Sequence, residues 1–270
     1  MSLRRQPDFN FERDMTIPAT KWLINQGLMV KHEFRMTWGI CDVVGLEPQH
    51  PNIALRLQSG QRRPVGPPSR IALLRELSTD AGGVGSTLSD LSQRLGWLPN
   101  RTGAELKILI ERCFARETTK GRFVSVSEWR PLHQRIIAIE LKLDRIDEAI
   151  SQARSHTVFA TDSFIALPRP VAERVVSHHD RVEQLKRSGI GLLSVSRFEV
   201  TQMFPCNADR PYETDPILQR HCVERFLPQF TSTPSSIAAR RVRASWPSRS
   251  GGAAGDLFLG RKMRKAAETV

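Results

Sequence analysis

The order of apolar and polar positions near the start of the chain predicts a helix followed by two strands. Helical spacing over 12–26 indicates the helix, and Pro18 within it implies a late start or a kink. Two runs with strand character follow, at 28–36 and 39–46. The tight Thr37-Trp38 connection between these runs favours a β-hairpin.

A second patterned region after residue 130 predicts an α/β core. Strands are indicated at 135–143, 163–167 and 190–195, with helices between them at 146–157 and 171–186. The first of these helices has an apolar stripe at helical spacing, and Asp144 precedes it as the candidate N-terminal cap. We expect this stripe to cover the sheet.

The segment between these two regions has a different character. A polar stretch with several prolines occupies 48–68, and helical spacing then returns in three short segments, at 71–77, 88–95 and 106–113. A Lys120-Gly121 turn within 116–127 predicts a short hairpin. Three helices and a hairpin are the order of a winged helix, although a packing subdomain or a dimerisation surface would have the same pattern.

A winged helix would place the segment that begins near Asn100 in the major groove of DNA. The candidate DNA-binding residues are then Arg101, Thr102 and Lys107 on the helix, with Lys120 and Arg122 in the hairpin. Basic side chains at these positions would contact phosphates or base edges.

The formal net charge of +12 is confined to two segments of the chain. Residues 48–130 hold thirteen basic and seven acidic side chains, and residues 231–270 hold eight and two, whereas the other segments are neutral. Net charge that served solubility alone would not predict this segregation. Binding of a polyanion is therefore expected of the inserted segment and of the C-terminal tail. The tail is rich in Ser, Pro, Gly, Ala and Arg, which predicts disorder.

The composition of the chain also indicates where the protein is located. No run approaches the roughly 20 apolar residues of a membrane span, and the first residues lack a signal-peptide core. The four cysteines lie far apart, without zinc spacing or the density of a disulfide framework. These features predict a cytoplasmic protein with no membrane partner, associated with the nucleoid if it binds DNA.

Charged residues inside apolar strands are the strongest functional signal. Glu140 and Lys142 lie two residues apart in the run 136–143, on one face of a strand, and Asp42 interrupts the run 39–46. Desolvating an unpaired charge costs on the order of several kcal/mol, so such residues are usually paired or bind a metal. A structural ion pair would explain Glu140 and Lys142 alone. The second carboxylate favours a metal-dependent site.

The order helix, strand, strand with Asp42, strand with Glu140-x-Lys142, helix, strand resembles the PD-(D/E)XK (restriction-endonuclease-like) nuclease superfamily over residues 10–195. Cys41 stands where the superfamily motif has its proline. The resemblance implies a mixed-sheet core flanked by helices. It also implies Mg²⁺, with Mn²⁺ as a substitute, held by Asp42, Glu140 and the backbone carbonyl of Leu141, with Lys142 as the partner of the attacking water.

The resemblance further suggests two supporting residues. Glu12 lies in the first helix, where many superfamily members have an additional acidic residue, although a carboxylate there also suits the helix dipole. Gln152 lies on the helix after Lys142, where several branches have a supporting glutamine, and His156 follows one turn later. A surface glutamine is nearly as good an explanation of Gln152.

These observations predict a Mg²⁺-dependent DNA endonuclease in restriction, transposition, repair or phage defence. A homodimer is expected for double-strand cleavage, and protein partners are expected in a larger DNA-processing complex. The alternative is a non-catalytic winged-helix DNA-binding protein, a regulator or assembly factor, on a nuclease-like scaffold. The predicted domains are a discontinuous core at 10–47 and 131–198, an insert at 69–127, an extension at 199–230 and a disordered basic tail at 231–270.

Overall fold

The computed structural model describes residues 8–36, 39–78, 84–118, 121–206 and 214–232. The strands in these residues are β1 (Met29–Met36), β2 (Gly39–Pro48), β3 (Ala115–Glu117), β4 (Phe123–Ser125), β5 (His133–Leu141), β6 (Asp162–Pro168), β7 (Gly191–Val195) and β8 (Val200–Phe204). The α-helices are α1 (Thr16–Asn25), α2 (His50–Gln58), α3 (Pro68–Ser78), α4 (Leu88–Leu95), α5 (Pro99–Glu111), α6 (Ile146–His156), α7 (Arg169–Ser177), α8 (His179–Ser188), α9 (Pro216–Glu224) and α10 (Leu227–Ser232). A 3-10 helix, Glu12–Met15, precedes α1.

Six strands form one mixed sheet in the order β1-β2-β5-β6-β7-β8. The strands β1, β2 and β5 pair antiparallel, β5, β6 and β7 pair parallel, and β8 returns antiparallel to β7. The predicted α/β class, a mixed sheet flanked by helices, is therefore confirmed. The edge strand β8 lies in the segment that the sequence pattern treats as an extension, and it was not predicted.

Apolar side chains on both faces of the sheet attach it to helices. On one face, Ile137 and Ile139 of β5 share a buried cluster with Leu23 of α1. On the other face, Ile165 of β6 packs against Ala149 of α6. Full burial of a side chain of this size contributes about 1.5–3 kcal/mol, so these contacts hold the sheet between α1 and α6.

Two predictions about helices in the core are wrong. The single helix predicted over 171–186 is two helices, because His178 has extended backbone angles (φ −104°, ψ 107°) between α7 and α8. The Ser177 hydroxyl donates to the Arg174 carbonyl, which competes with a continuing helix. Asp144 does not cap α6, because the residue at the N-cap is Arg145 and no side chain there makes a capping hydrogen bond.

The polar stretch at 48–68 also contains an unpredicted helix. This helix is α2, and it has a proline in its first turn, where the missing N–H removes no helical hydrogen bond. The chain downstream then forms the three predicted helices α3, α4 and α5 and the predicted hairpin of β3 and β4. Side chains from all five of these elements share one apolar core.

A buried group of charged residues joins α2 to α9. Arg56 donates to both carboxylate oxygens of Glu224, at 2.6 and 2.8 Å, and Arg220 Nε donates to one of them at 2.8 Å. The Val65 N–H adds a fourth hydrogen bond at 3.1 Å. We call Arg56, Arg220 and Glu224 the arginine cluster. It holds the segment that leads into α3 against the two helices.

Three predicted features lie partly or wholly outside the described residues: the Thr37-Trp38 connection, Lys120 and the tail beyond 232. The first two residues of the predicted tail, Thr231 and Ser232, are the end of α10. No helix in the described part of the chain is long and apolar enough to cross a membrane.

Candidate active site

Asp42 lies where the pairing between β2 and β5 ends. The terminal partners of this pairing are Val43 and Ile139. Beyond them the Asp42 carboxylate accepts the Leu141 N–H at 2.8 Å, and Cys41 Sγ lies 3.6 Å from the Ile139 carbonyl oxygen. Side chains of β2 therefore take the place of backbone ladder bonds, and this fixes the Asp42 carboxylate beside the end of β5.

Glu140 and Lys142 lie at the C-terminal end of β5, with α6 beside them. Their exposed fractions are only 2% and 6%. Lys142 Nζ donates to Glu140 Oε1 at 2.9 Å, and His156 Nε2 of α6 lies 3.1 Å from Glu140 Oε2. Both oxygens of Glu140 have a hydrogen-bonding partner, so the carboxylate is held from two sides.

Two further carboxylates surround Lys142. Glu12 of the 3-10 helix and Glu148 of α6 each approach Lys142 Nζ to 3.7 Å. Arg145 pairs with the same two carboxylates, at 3.4 and 2.7 Å. We call the set of Asp42, Glu140, Glu12, Glu148 and Lys142 the carboxylate cluster. Its four carboxylates share the two cations Lys142 and Arg145, so negative charge is in excess.

The excess of negative charge contributes to a raised pKa of Asp42. Burial raises the pKa of Asp42 to about 6, and the charge of Glu140 adds to the rise, against the Leu141 N–H and the charge of Lys142. Burial lowers the pKa of Lys142, but the hydrogen bond to Glu140 and its charge outweigh burial and raise that pKa above its usual range. The cluster therefore holds a charged ammonium and a carboxylate whose ionised form a further cation would stabilise.

The chemistry of these donors fits Mg²⁺. This ion is held by one or two carboxylates and keeps several waters, and Asp42 and Glu140 supply two carboxylates where the pairing between β2 and β5 ends. Gln152 Oε1 is buried without a hydrogen-bonding partner, one helical turn from both Glu148 and His156, so an acceptor remains there for a water. Among the described residues no three His, Cys, Asp or Glu side chains form a metal-binding group. Water would therefore complete the coordination.

The structure brings together most of the residues that the sequence singled out for catalysis. Glu12 and Lys142 are far apart in the sequence, so no local sequence pattern shows that their side chains approach each other. The sequence argument missed Glu148 as a cluster member, because an acidic residue in a first helical turn also suits the dipole. The spacing of Glu148, Gln152 and His156 at i, i+4 and i+8 was the available signal for one shared helix face. No comparable signal marks Arg145.

The predicted DNA-binding residues of α5 separate into exposed and buried positions. Arg101 and Lys107 are exposed, and the Arg101 guanidinium lies 4.2 Å from the centroid of the Trp97 ring. Thr102 is fully buried, and its hydroxyl accepts from Ser92 Oγ at 3.0 Å. The prediction that Thr102 contacts DNA is wrong, because the rotation of the helix turns this position toward the core.

Of the two hairpin candidates, Arg122 lies within the described residues. Arg122 is half-buried, and its guanidinium donates to the Gly85 carbonyl at 2.9 Å. Lys120 lies outside the described residues. On α5 itself, Asn100 is exposed beside Arg101.

No protein-family model matches the chain, and no curated protein matches it. Among solved structures, the chain is similar to the SPO1766 protein of unknown function from Silicibacter pomeroyi. The two are 14% identical, with 93% of this chain and 98% of that chain covered and a TM-score of 0.36. A similarity at this level does not extend to activity.

Proposed function

We propose that the chain is a Mg²⁺-dependent DNA endonuclease with a PD-(D/E)XK nuclease core. The observation that carries the proposal is that the Asp42 carboxylate accepts the N–H of Leu141, the residue between Glu140 and Lys142, whose side chains are hydrogen-bonded to each other. These are the residues of the motif that the sequence resembles, and the fold places them beside each other. The raised pKa of Asp42, caused by burial and by the Glu140 charge, supports a role in binding a cation.

The proposed roles follow from where each group lies. Asp42, Glu140 and the Leu141 carbonyl would hold Mg²⁺, for which Mn²⁺ can substitute. The bound ion would supply a water of lowered pKa and neutralise charge on the phosphodiester. Lys142 holds its proton at Nζ and would stabilise negative charge on the attacking oxygen. His156 keeps Glu140 in position through its 3.1 Å contact.

The inserted helices and hairpin are proposed to bind DNA as a winged helix. Arg101 and Lys107 are exposed on α5, and the segment 48–130 carries excess positive charge. Contacts from such side chains to phosphates would make affinity fall with salt. The basic tail would add further phosphate contacts and so increase the salt dependence of the affinity. A homodimer would bring two active sites to the DNA, within a DNA-processing complex in restriction, transposition, repair or phage defence.

A second candidate function is DNA binding without catalysis. It is favoured by one observation: Lys142 and His156 occupy both oxygens of Glu140, so this group of charges is satisfied without a metal. The nuclease-like core would then be a scaffold, and the insert would serve a regulator or an assembly factor. Asp42 argues against this alternative, because a purely structural cluster gains no stability from a carboxylate that resists ionisation.

Cleavage of supercoiled plasmid separates the two candidates. With Mg²⁺ the wild-type protein should nick the plasmid, and Asp42→Asn or Lys142→Met should reduce the rate by about 10²–10⁴-fold. Asp162→Asn is the matched control, because Asp162 lies on the neighbouring strand β6 and pairs with Arg135 at 2.6 Å. Equal nicking by all four proteins would assign the activity to a contaminant. Binding without cleavage by the wild type, on the plasmid and on a single-stranded substrate alike, would favour the second candidate.

A further inference from the structure

Two exposed phenylalanines lie at the sheet edge that carries the carboxylate cluster. Phe198, in the turn between β7 and β8, is 98% exposed, and Phe11 is 56% exposed. Phe11 directly precedes Glu12, whose carboxylate lies 3.7 Å from Lys142 Nζ. The Phe198 ring gains almost none, and the Phe11 ring only part, of the roughly 1.5–3 kcal/mol that full burial gives, so their exposure next to a charged site needs a reason.

The position of Phe198 relative to Lys142 follows from the sheet. The strands β5, β6 and β7 are parallel, so their C-terminal ends lie at one edge. Neighbouring strands are about 4.8 Å apart, which puts the ends of β5 and β7 roughly 10 Å from each other. Phe198 follows the end of β7 at Val195 by three residues, which adds at most about 10 Å. The ring is thus on the order of 20 Å from Lys142.

The turn that carries Phe198 is held by hydrogen bonds on both sides of the ring. The Ser196 N–H donates to the Glu199 carbonyl at 2.8 Å, and the Glu199 N–H donates back to Ser196 Oγ at 3.1 Å. Arg197 Nε donates to the Asp8 carbonyl at 2.8 Å, which ties the turn to the segment leading into Phe11. Because the backbone of this turn is held in place, a ligand that covers the Phe198 ring does not have to order the turn as well.

Arginines accompany both rings. The Arg13 guanidinium lies 4.8 Å from the centroid of the Phe11 ring, and Arg197 directly precedes Phe198. Arg145, at the mouth of the cluster, has a 60% exposed side chain. Aromatic rings interspersed with cations are the surface that binds single-stranded nucleic acid, through base stacking and phosphate contacts. Bases in an intact duplex are stacked on each other and cannot cover such rings.

We infer that the carboxylate cluster acts on single-stranded DNA, with bases near the scissile phosphate stacked on Phe198 and Phe11. This inference rests on the proposed nuclease function and adds the strandedness of its substrate. The guanidinium groups of Arg13, Arg145 and Arg197 beside these rings favour a polyanion over an apolar protein or lipid surface as the occupant.

Binding in EDTA tests the inference without catalysis. The probes are a fluorescein-labelled single strand of mixed sequence and the same sequence as a hairpin duplex, followed by fluorescence anisotropy. Phe198→Ala should weaken single-strand binding by about 5–100-fold, the range for one stacked base, and duplex binding by less than about twofold. The salt dependence should not change, because no ionic contact is lost. Val176→Ala, at a 41% exposed position on α7, is the control.

Two more substitutions identify the kind of contact. Stacking predicts that Phe198→Trp retains single-strand affinity and that Phe198→Leu loses as much as Phe198→Ala. Leu in place of Phe with full affinity would indicate an apolar contact and overturn the inference. Equal single-strand binding by wild type and Phe198→Ala would also overturn it, while leaving the plasmid test of nuclease activity untouched. Absence of cleavage on every DNA would instead overturn the proposed function.

Discussion

The arginine cluster and the carboxylate cluster both bury charged side chains, but with opposite effects on their carboxylates. Burial alone would raise the pKa of Glu224, yet the charges of Arg56 and Arg220 and the hydrogen bonds to it lower that pKa. At Asp42 burial and the Glu140 charge act in the same direction, and the pKa rises to about 6. The first cluster stabilises its own anion, whereas the second leaves an anion that an additional cation would stabilise.

The difference between the two clusters separates a structural charge from a functional one. A buried ion pair offsets its desolvation only where hydrogen bonds are complete, and Glu224 has four N–H donors from three residues. In the carboxylate cluster the carboxylates outnumber the cations. Proteins retain such an excess of negative charge where function needs it, and the excess lowers the stability of the fold.

The largest expected effects on stability come from removing one buried carboxylate from each cluster, Glu224 from the arginine cluster and Glu140 from the carboxylate cluster. Glu224→Gln should destabilise the fold by about 3–5 kcal/mol, because it leaves two buried guanidinium groups without a counterion. Glu140→Gln should destabilise by less than half as much, since Lys142 keeps Glu12 and Glu148 as partners. Urea unfolding in EDTA measures both. Equal losses would show that the clusters do not differ in the way described.

A smaller effect of opposite sign is expected at Asp42. Asp42→Asn should stabilise the metal-free protein by about 1–3 kcal/mol at pH 7.5, because it removes a buried carboxylate that Glu140 repels. Between pH 3.8 and about 6 the folded wild type binds more protons than the unfolded chain, so its stability falls as pH rises through this window. The advantage of the variant should therefore be complete above pH 6 and absent below about pH 4.

Urea midpoints of the two proteins, measured in EDTA across this pH range, check the prediction. Asp162→Asn serves as the control for loss of a carboxylate on a neighbouring strand, and it should lack the stabilisation. If Asp42→Asn were less stable than wild type at pH 7.5, the Asp42 carboxylate would stabilise the fold rather than destabilise it.

Local patterns predicted the elements and residues whose neighbours are near in sequence. Glu140 and Lys142 are two residues apart on an apolar strand, and the α/β class follows from strand and helix periodicity, whereas the mixed sheet was expected from the nuclease resemblance. Thr102 was placed wrongly although it lies four residues before Leu106, on the apolar face of α5, because its polar side chain was given more weight than its helical position. The arginine cluster had no sequence signal, because Arg56 and Glu224 are 168 positions apart. His178 breaks a helix through side-chain bonding that spacing alone does not show.

The most direct test of the central claim is metal binding by the carboxylate cluster. Calorimetric titration of Mn²⁺ into the metal-free protein at pH 7.5 should show one saturable site in wild type and in Asp162→Asn. The same titration of Asp42→Asn should show that site lost or weakened at least about tenfold, as expected when a charged ligand is removed. Equal binding by Asp42→Asn and wild type, or no saturable binding by the wild type, would contradict the account.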